Sequence, residues 1–373
     1  MPNTQKLDWN RIQRILILRL SSIGDVVHAL PVLHALHSAY PHLEISWVVE
    51  EMSAEILVGN PILKEVIVIP RSRWKKGRTK SLTVWREMIV FLKELRRRKF
   101  DLTLDLQGYA KSGVLVAATG ARYRFGWCRL RDGAQLVSRR IPHQSESLHR
   151  VEWYLDVIRA LGIAVPSVVF PLAIPTSARE SVQQKLEVLN ISGSYLVLNL
   201  ATGNEVRRWG VEKYAELVSQ IGMRFATPIL IIGSAKDRPL NSVLIERVKG
   251  DMKAPVIDMA GETSLMELAA LLKGCAVHIT GDTGSTHIAA AVGCPVIGIY
   301  GPTDPTHAGA WGQRKHTLSK RELCTKGCGG KSCAAPCLRQ QPATEAGEGV
   351  TVAKCLNAIT LMEVMEQLES LLA

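Results

Sequence analysis

Short apolar runs, polar glycine-bearing turns and segments of helical period alternate along the whole chain. The run 14–19 reads as a strand, the turn Ser21-Ser22-Ile23-Gly24-Asp25 follows it, and 26–38 has the period of a helix. Strands at 45–49, 65–69 and 102–106 then alternate with helices at 54–58, 84–98 and 150–161. After a proline-marked stretch at 166–175 the plan restarts. Helix 178–189 leads to strand 195–200, helix 211–223 and strand 228–232. A turn at 233–237, helix 238–249, strand 256–258, helix 264–272 and the segment 276–300 complete it. Strands alternating with helices predict parallel, doubly wound sheets. The last helix, 358–372, carries Leu361, Val364, Met365, Leu368, Leu371 and Leu372 at helical spacing.

At 373 residues the chain exceeds one ordinary core, and two domains are expected. The boundaries predicted are 1–170 and 176–357, followed by a C-terminal helix over 358–373 that could pack back on the N-terminal domain. Two Rossmann-like domains facing each other would leave a ligand cleft between them. No apolar run is long enough to cross a bilayer and the first residues are too polar for a signal peptide, so a cytoplasmic protein is expected.

The most informative stretch is 281–305, GDTGSTHIAAAVGCPVIGIYGPTDP. An apolar strand meets Gly281-Asp282-Thr283-Gly284, an alanine-rich helix begins near His287, and a second strand runs into Gly301-Pro302-Thr303-Asp304. Glycines at such a turn let backbone N–H groups reach a phosphate, and the helix start favours the anion. The alternative is a tight turn with capping Asp and Thr. A second turn, Thr202-Gly203-Asn204-Glu205-Val206-Arg207-Arg208-Trp209, suits a diphosphate clamp, because a guanidinium forks phosphate oxygens and keeps its charge. Asp237 stands where an acid meets ribose hydroxyls in Rossmann-like sites, or caps a helix. In the first half, Asp25 could act as a general base or as the N-cap of helix 26–38. The turn Asp105-Leu-Gln107-Gly108, with Lys111 after it, is a further candidate.

Charge divides the chain. Residues 1–150 hold 25 Lys+Arg against 13 Asp+Glu, whereas 151–373 hold 21 of each, so the whole net charge of +12 lies in the first half. The cluster Arg71-Ser-Arg73-Trp74-Lys75-Lys76-Gly-Arg78-Thr-Lys80 reads as a binding loop for an anionic partner. Trp74 is the candidate for contact with a membrane surface. No nucleic-acid-binding signature accompanies it, and no nucleic-acid partner is expected. No D-x-D pair is present to hold a divalent metal. Cys324, Cys328, Cys333 and Cys337 cluster at looser spacing than the usual zinc pairs, which leaves metal binding or a loop of free thiols open.

These motifs converge. SSIGDVVHALPVLHAL, SWVVEE, RSRWKK, DLTLDLQGYAKSG, HRVEWYL, RRWGVEKYAEL and the 281–305 segment resemble lipopolysaccharide heptosyltransferases of glycosyltransferase family 9 over nearly the whole chain. The opening motif is more similar to the branch that acts on Kdo. The resemblance implies a GT-B fold and an inverting, metal-independent transfer of L-glycero-D-manno-heptose from ADP-heptose to the Kdo–lipid A inner core. It requires no cofactor and implies peripheral attachment to the inner membrane. Asp25 matches the proposed catalytic base. Thr202, Arg207, Asp237, Asp282, Thr283, Gly284 and His287 match donor positions. The family usually has Lys at 207, and close relatives have Glu at 237. Arg73, Lys75 and Lys76 match basic acceptor residues, and Ser22, Gln107 and Lys111 are grouped with them.

Overall fold

The computed structural model describes residues 7–77, 81–323 and 353–373, which form two units, Met1–Ala173 and Ile174–Ala373. The first unit begins with β1 (Arg14–Leu18) and α1 (Ile23–Ala39). It continues through β2 (Glu44–Glu50), α2 (Glu51–Ala54), β3 (Leu63–Ile69), α3 (Arg71–Gly77) and α4 (Leu82–Arg97). β4 (Leu102–Asp105), α5 (Ala110–Thr119), β5 (Tyr123–Gly126), β6 (Arg139–Arg140) and α6 (Arg150–Ala160) complete it. The strands are parallel and lie in the order β3-β2-β1-β4-β5-β6. β1 is apolar because helices cover both faces of a parallel sheet, and Ile15 to Leu18 are fully buried.

The second unit repeats this plan. It holds α7 (Thr176–Val188), β7 (Leu196–Asn199), α8 (Val211–Arg224), β8 (Ile229–Ile231), α9 (Arg238–Arg247) and β9 (Val256–Asp258). Then come α10 (Leu265–Gly274), β10 (Val277–Thr280), α11 (Gly284–Val292), β11 (Val296–Tyr300), α12 (Pro305–Ala308) and β12 (Thr317–Ser319). The parallel order is β12-β11-β10-β7-β8-β9. In both sheets the first strand therefore pairs with the fourth as well as with the second. Crossovers leave in opposite directions from that pair, and a crevice opens at its C-terminal end.

Three expectations are corrected. Residues 71–77 are helical, not a loop: Trp74 donates its backbone N–H to Pro70 and sets its ring edge-on against Phe91, which anchors the turn to α4. Trp74 is thereby half-buried rather than freely exposed. The helix expected at 54–58 is α2, which starts three residues earlier, with turns over 55–59. The C-terminal helix Leu361–Leu372 belongs to the second unit rather than the N-terminal domain. Val364, Met365 and Leu368 enter the same core as Trp209, Tyr214 and Leu217. Its start is fixed by Thr360, which accepts from the Glu363 N–H while Glu363 accepts from the Thr360 N–H. The Trp209 indole donates to the Ile359 carbonyl at 3.2 Å, and Lys213 reaches the same oxygen at 2.9 Å.

Leu368 is fully buried in that core. Truncation to Leu368→Ala is expected to cost about 2–5 kcal/mol, from lost transfer energy and a residual cavity. Urea unfolding followed by tryptophan fluorescence measures this, and an unchanged midpoint would contradict the packing assigned to the last helix.

Candidate functional site

In the first unit the C-terminal ends of β1, β2 and β4 bring together Asp25, Glu50 and Asp105. Asp25 lies in the first turn of α1, and Ser22 occupies the N-cap with no side-chain cap bond. The capping role for Asp25 therefore falls away. Its carboxylate instead pairs with Arg19, accepts from Arg150 at 2.8 Å and from the Ser22 hydroxyl at 3.2 Å. Arg19 is almost wholly buried. It also donates to the Leu106 carbonyl at 2.8 Å and lies over the rings of Trp127 and Tyr154. Burial opposes its charge, but the fields of Tyr154 and Asp25 and the bond to Asp25 raise its pKa above the ordinary value. The carboxylate is thus held by a fixed cation behind it and a half-exposed one, Arg150, on its outer side.

Asp105 is buried and accepts from the amides of Gln107 and Gly108 and from the Ser112 hydroxyl. Desolvation outweighs these donors and pushes its pKa up to about 6. Gly108 takes φ of +76°, and a Cβ there would lie 2.5 Å from the Trp127 indole nitrogen, so the turn demands glycine. Gln107 is buried, with its side-chain carbonyl accepting from the amides of Leu20 and Ser21. It ties the β4 turn to the β1 turn. Glu50, also buried, receives Arg71 at 2.6 Å and Lys111 at 2.8 Å. Arg73 pairs with Glu87, and Lys75 is exposed. The Lys76 side chain and the cluster Cys324, Cys328, Cys333 and Cys337 lie outside the described residues. Among the described residues no group of three or more His, Cys, Asp or Glu is placed to hold a metal ion.

In the second unit the loops after β7 and β10 meet at the crevice. Gly281 passes so close to the first loop that a Cβ would sit 3.3 Å from Thr202 Cγ2. Arg207 crosses between the loops to Asp282 at 2.6 Å, and Asp282 also accepts from Thr303 at 2.8 Å. Thr202 donates its hydroxyl to the Asn204 carbonyl. Thr283 is the N-cap of α11, yet its side chain makes no cap bond. The amides that open a helix lack intrahelical acceptors, so the Gly284 end presents donors to an anion. His287 is buried on the first turns of the same helix. Asp237 stands apart from this group in the 233–237 turn, where it accepts from the Ser234 amide at 2.7 Å and its hydroxyl at 2.6 Å. Asp237 occupies the N-cap of α9 without a side-chain cap bond there, and its carboxylate closes the short turn before that helix instead.

Beneath these loops runs a buried polar chain that the sequence reading missed. The Ala201 N–H donates to Asn199 Oδ1, and Asn199 Nδ2 donates to Ser285 Oγ at 2.9 Å. The Ser285 hydroxyl faces His278 Nε2 at 3.0 Å, and His278 Nδ1 faces the Val197 carbonyl at 3.1 Å. A carbonyl only accepts, so Nδ1 carries the proton and Nε2 accepts from Ser285. This locks the start of α11 to the loop that leads into Thr202. Arg19, Arg150 and Glu50 were missed as well. For Arg19 and Glu50 the signal available was a charged residue at the end of an otherwise apolar strand; Arg150, which opens α6, carried no such signal.

A family model described as glycosyltransferase family 9 (heptosyltransferase) matches residues 88–338, more than half of the chain. Lipopolysaccharide heptosyltransferase 1 of Escherichia coli O18:K1:H7 is 30% identical over 222 residues, 58% of this chain. The match spans 66% of that relative's length, just under two thirds. The solved structure of Escherichia coli heptosyltransferase WaaC with ADP is 28% identical, with a TM-score of 0.66 over 82% of this chain and 92% of that one. A glycosyl transferase family 9 structure from Veillonella parvula shares the fold, with a TM-score of 0.75 at 21% identity over 96% and 97% of the two chains. The architecture is GT-B, two parallel six-stranded sheets each flanked by helices.

Burial pushes the His278 pKa down to about 4, with the Val197 bond partly opposing the shift. An unfolded histidine titrates near 6.5, so between these values the unfolded chain binds the proton and the folded one does not. The contribution is complete above pH 6.5 and is lost as pH falls toward 4. Relative to pH 7, the penalty at pH 5 is roughly 2 kcal/mol. The difference in urea stability between wild type and His278→Gln should shrink by that amount on going from pH 7 to pH 5. A pH-independent difference would refute the neutral, buried assignment.

Proposed function

The chain belongs to glycosyltransferase family 9, and on that premise we propose that it transfers L-glycero-D-manno-heptose from ADP-heptose to the Kdo–lipid A inner core of lipopolysaccharide. The observation that carries the donor half of this reading is the Arg207–Asp282–Thr303 cluster beside the Thr283-Gly284 helix start. It combines a fixed guanidinium, hydroxyls and the amides of a helix start that the Thr283 side chain does not cap, at one strand edge. Those groups suit the two phosphates of a nucleoside diphosphate, and WaaC, the relative solved with ADP, supports adenosine as the nucleoside. Thr202 borders the same loop, His287 backs it from α11, and Asp237 would serve the ribose by exchanging its Ser234 bonds for sugar hydroxyls.

Asp25 is the proposed base. Arg19 and Arg150 both bind its carboxylate, and the outer oxygen, now against Arg150, is the one an acceptor hydroxyl would meet. In the reaction the carboxylate takes the hydroxyl proton. The acceptor oxygen attacks the heptose anomeric carbon as the bond to the ADP oxygen breaks, inverting that centre. Charge grows on the departing diphosphate, and Arg207 with the α11 amides stabilises it without a metal ion. Arg73, Lys75, Lys76 and Lys111 supply cations for the acceptor's carboxylates and phosphates, and Ser22 lies beside the base. The acceptor would bring the protein to the inner-membrane surface.

Three measurements test this. ADP release from ADP-heptose with a Kdo–lipid A acceptor, followed by linkage analysis, should give a single heptose added to Kdo. Product on an existing heptose would instead place the chain at a later step. Asp25→Asn should lower turnover by about a hundredfold or more while ADP binding persists. Because Arg19 would lose its counter-charge, the variant's folding is to be checked by its melting curve. Turnover should be unchanged in EDTA, and recovery only on adding a divalent ion would reject the metal-free scheme.

A further inference from the structure

Helix α4 packs Val84 and Leu95 inward, with Met88, Phe91 and Leu92 half-buried beside them. At 100° per residue the solvent side, from its flank at Trp85, is defined by Leu82, Trp85, Arg86, Ile89, Lys93, Arg96 and Arg97. This outward arc breaks the usual rule, because it is not uniformly polar. Leu82 is 79% exposed, Trp85 49% and Ile89 50%. The remaining positions of the arc are cations, and it contains no acid. Glu87 and Glu94 both fall to one side, toward the groove of about 570 Å³ formed with Val68, Pro70 and Trp74. Glu87 is engaged by Arg73, and Glu94 by Arg97 at 2.5 Å.

We infer that the outward arc of α4 is a docking face for an anionic lipid bilayer, with Leu82, Trp85 and Ile89 entering the headgroup–acyl boundary and Arg86 and Lys93 meeting lipid phosphates. Two observations select this occupant. A purely polyanionic partner would use the cations but gives no reason for three exposed large apolar side chains in register with them. Apolar residues interleaved with Lys and Arg along one helical face are the pattern that binds at a membrane interface. The charge of the unit also fits: residues 1–173 hold 26 Lys+Arg against 15 Asp+Glu, a net +11, whereas 174–373 hold 20 against 19. Among the described residues no helix is long and apolar enough to cross a membrane, so attachment through this face is to a surface. The inference deepens the proposed function by naming the surface at which a lipid-borne acceptor would be met. Its test reads binding to lipid alone and so fails or succeeds independently of the sugar transferred.

The test is sedimentation of the full chain with vesicles of phosphatidylcholine, with and without phosphatidylglycerol. Wild type should partition onto the anionic vesicles about tenfold more strongly than onto the neutral ones. The triple variant Leu82→Ser, Trp85→Ser, Ile89→Ser should lose about tenfold of that partition, and Arg86→Glu with Lys93→Glu a similar amount. Melting temperatures and ADP binding of both variants should match wild type. Equal vesicle binding by the triple variant, or no binding by wild type, overturns the proposal. So does self-association of wild type in the absence of lipid that the triple variant abolishes, since a second copy would then be the occupant.

Discussion

In an all-parallel sheet every strand leaves at the same edge, and the rest of this molecule follows from that constraint. With the order 3-2-1-4-5-6 in each unit, the loops after the first and fourth strands flank a gap that no crossover helix fills. In the first unit those loops carry Asp25 and the Asp105–Gln107 turn. In the second they carry Thr202–Arg207 and Gly281–Thr283. Each gap is then closed electrostatically by an arginine on a carboxylate, Arg19 on Asp25 and Arg207 on Asp282. Partly buried pairs of this kind contribute little net stability, because desolvation offsets attraction. Their effect is orientation. Arg19 is held by a carbonyl and two aromatic rings, so it fixes the rotamer of Asp25. Arg207 is drawn across to Asp282, which keeps two loops in register that strand hydrogen bonds no longer reach.

Much of this was legible in the sequence because strand and helix periods differ and glycine turns punctuate them. The run 14–19, the 281–305 segment and the helical spacing of 361–372 each carry their structure on their face. What stayed hidden are partners distant along the chain. Arg19 reads as a charged residue ending a strand, and nothing local reveals that Leu106 and Tyr154 enclose it. Asn199, His278 and Ser285 each resemble incidental polar residues in apolar surroundings. Only the pairing of β7 with β10 sets Asn199 beside Thr280, and so places the three in one chain of hydrogen bonds. The 71–80 cluster misled in the opposite sense. Its charge suggested a loop, but Trp74 packing on Phe91 decides the conformation of 71–77. The destination of the last helix was also unreadable, since an apolar stripe names no partner until Trp209 is seen to receive it.

The distribution of charge in the first unit constrains how an anionic acceptor would be held. Arg71 and Lys111 converge on Glu50, which is buried at the end of β2. A buried carboxylate serving two cations does what a bound anion would do, so both side chains are already extended in one direction before any ligand arrives. An incoming carboxylate or phosphate of the proposed acceptor would then share cations that are already ordered, and the entropy of fixing two long side chains would not be lost on binding. The same arrangement limits affinity, because Glu50 continues to compete for the charge. Arg150 on Asp25 follows the same logic: it is half-exposed, and in the proposed reaction it would yield the carboxylate oxygen to the acceptor hydroxyl.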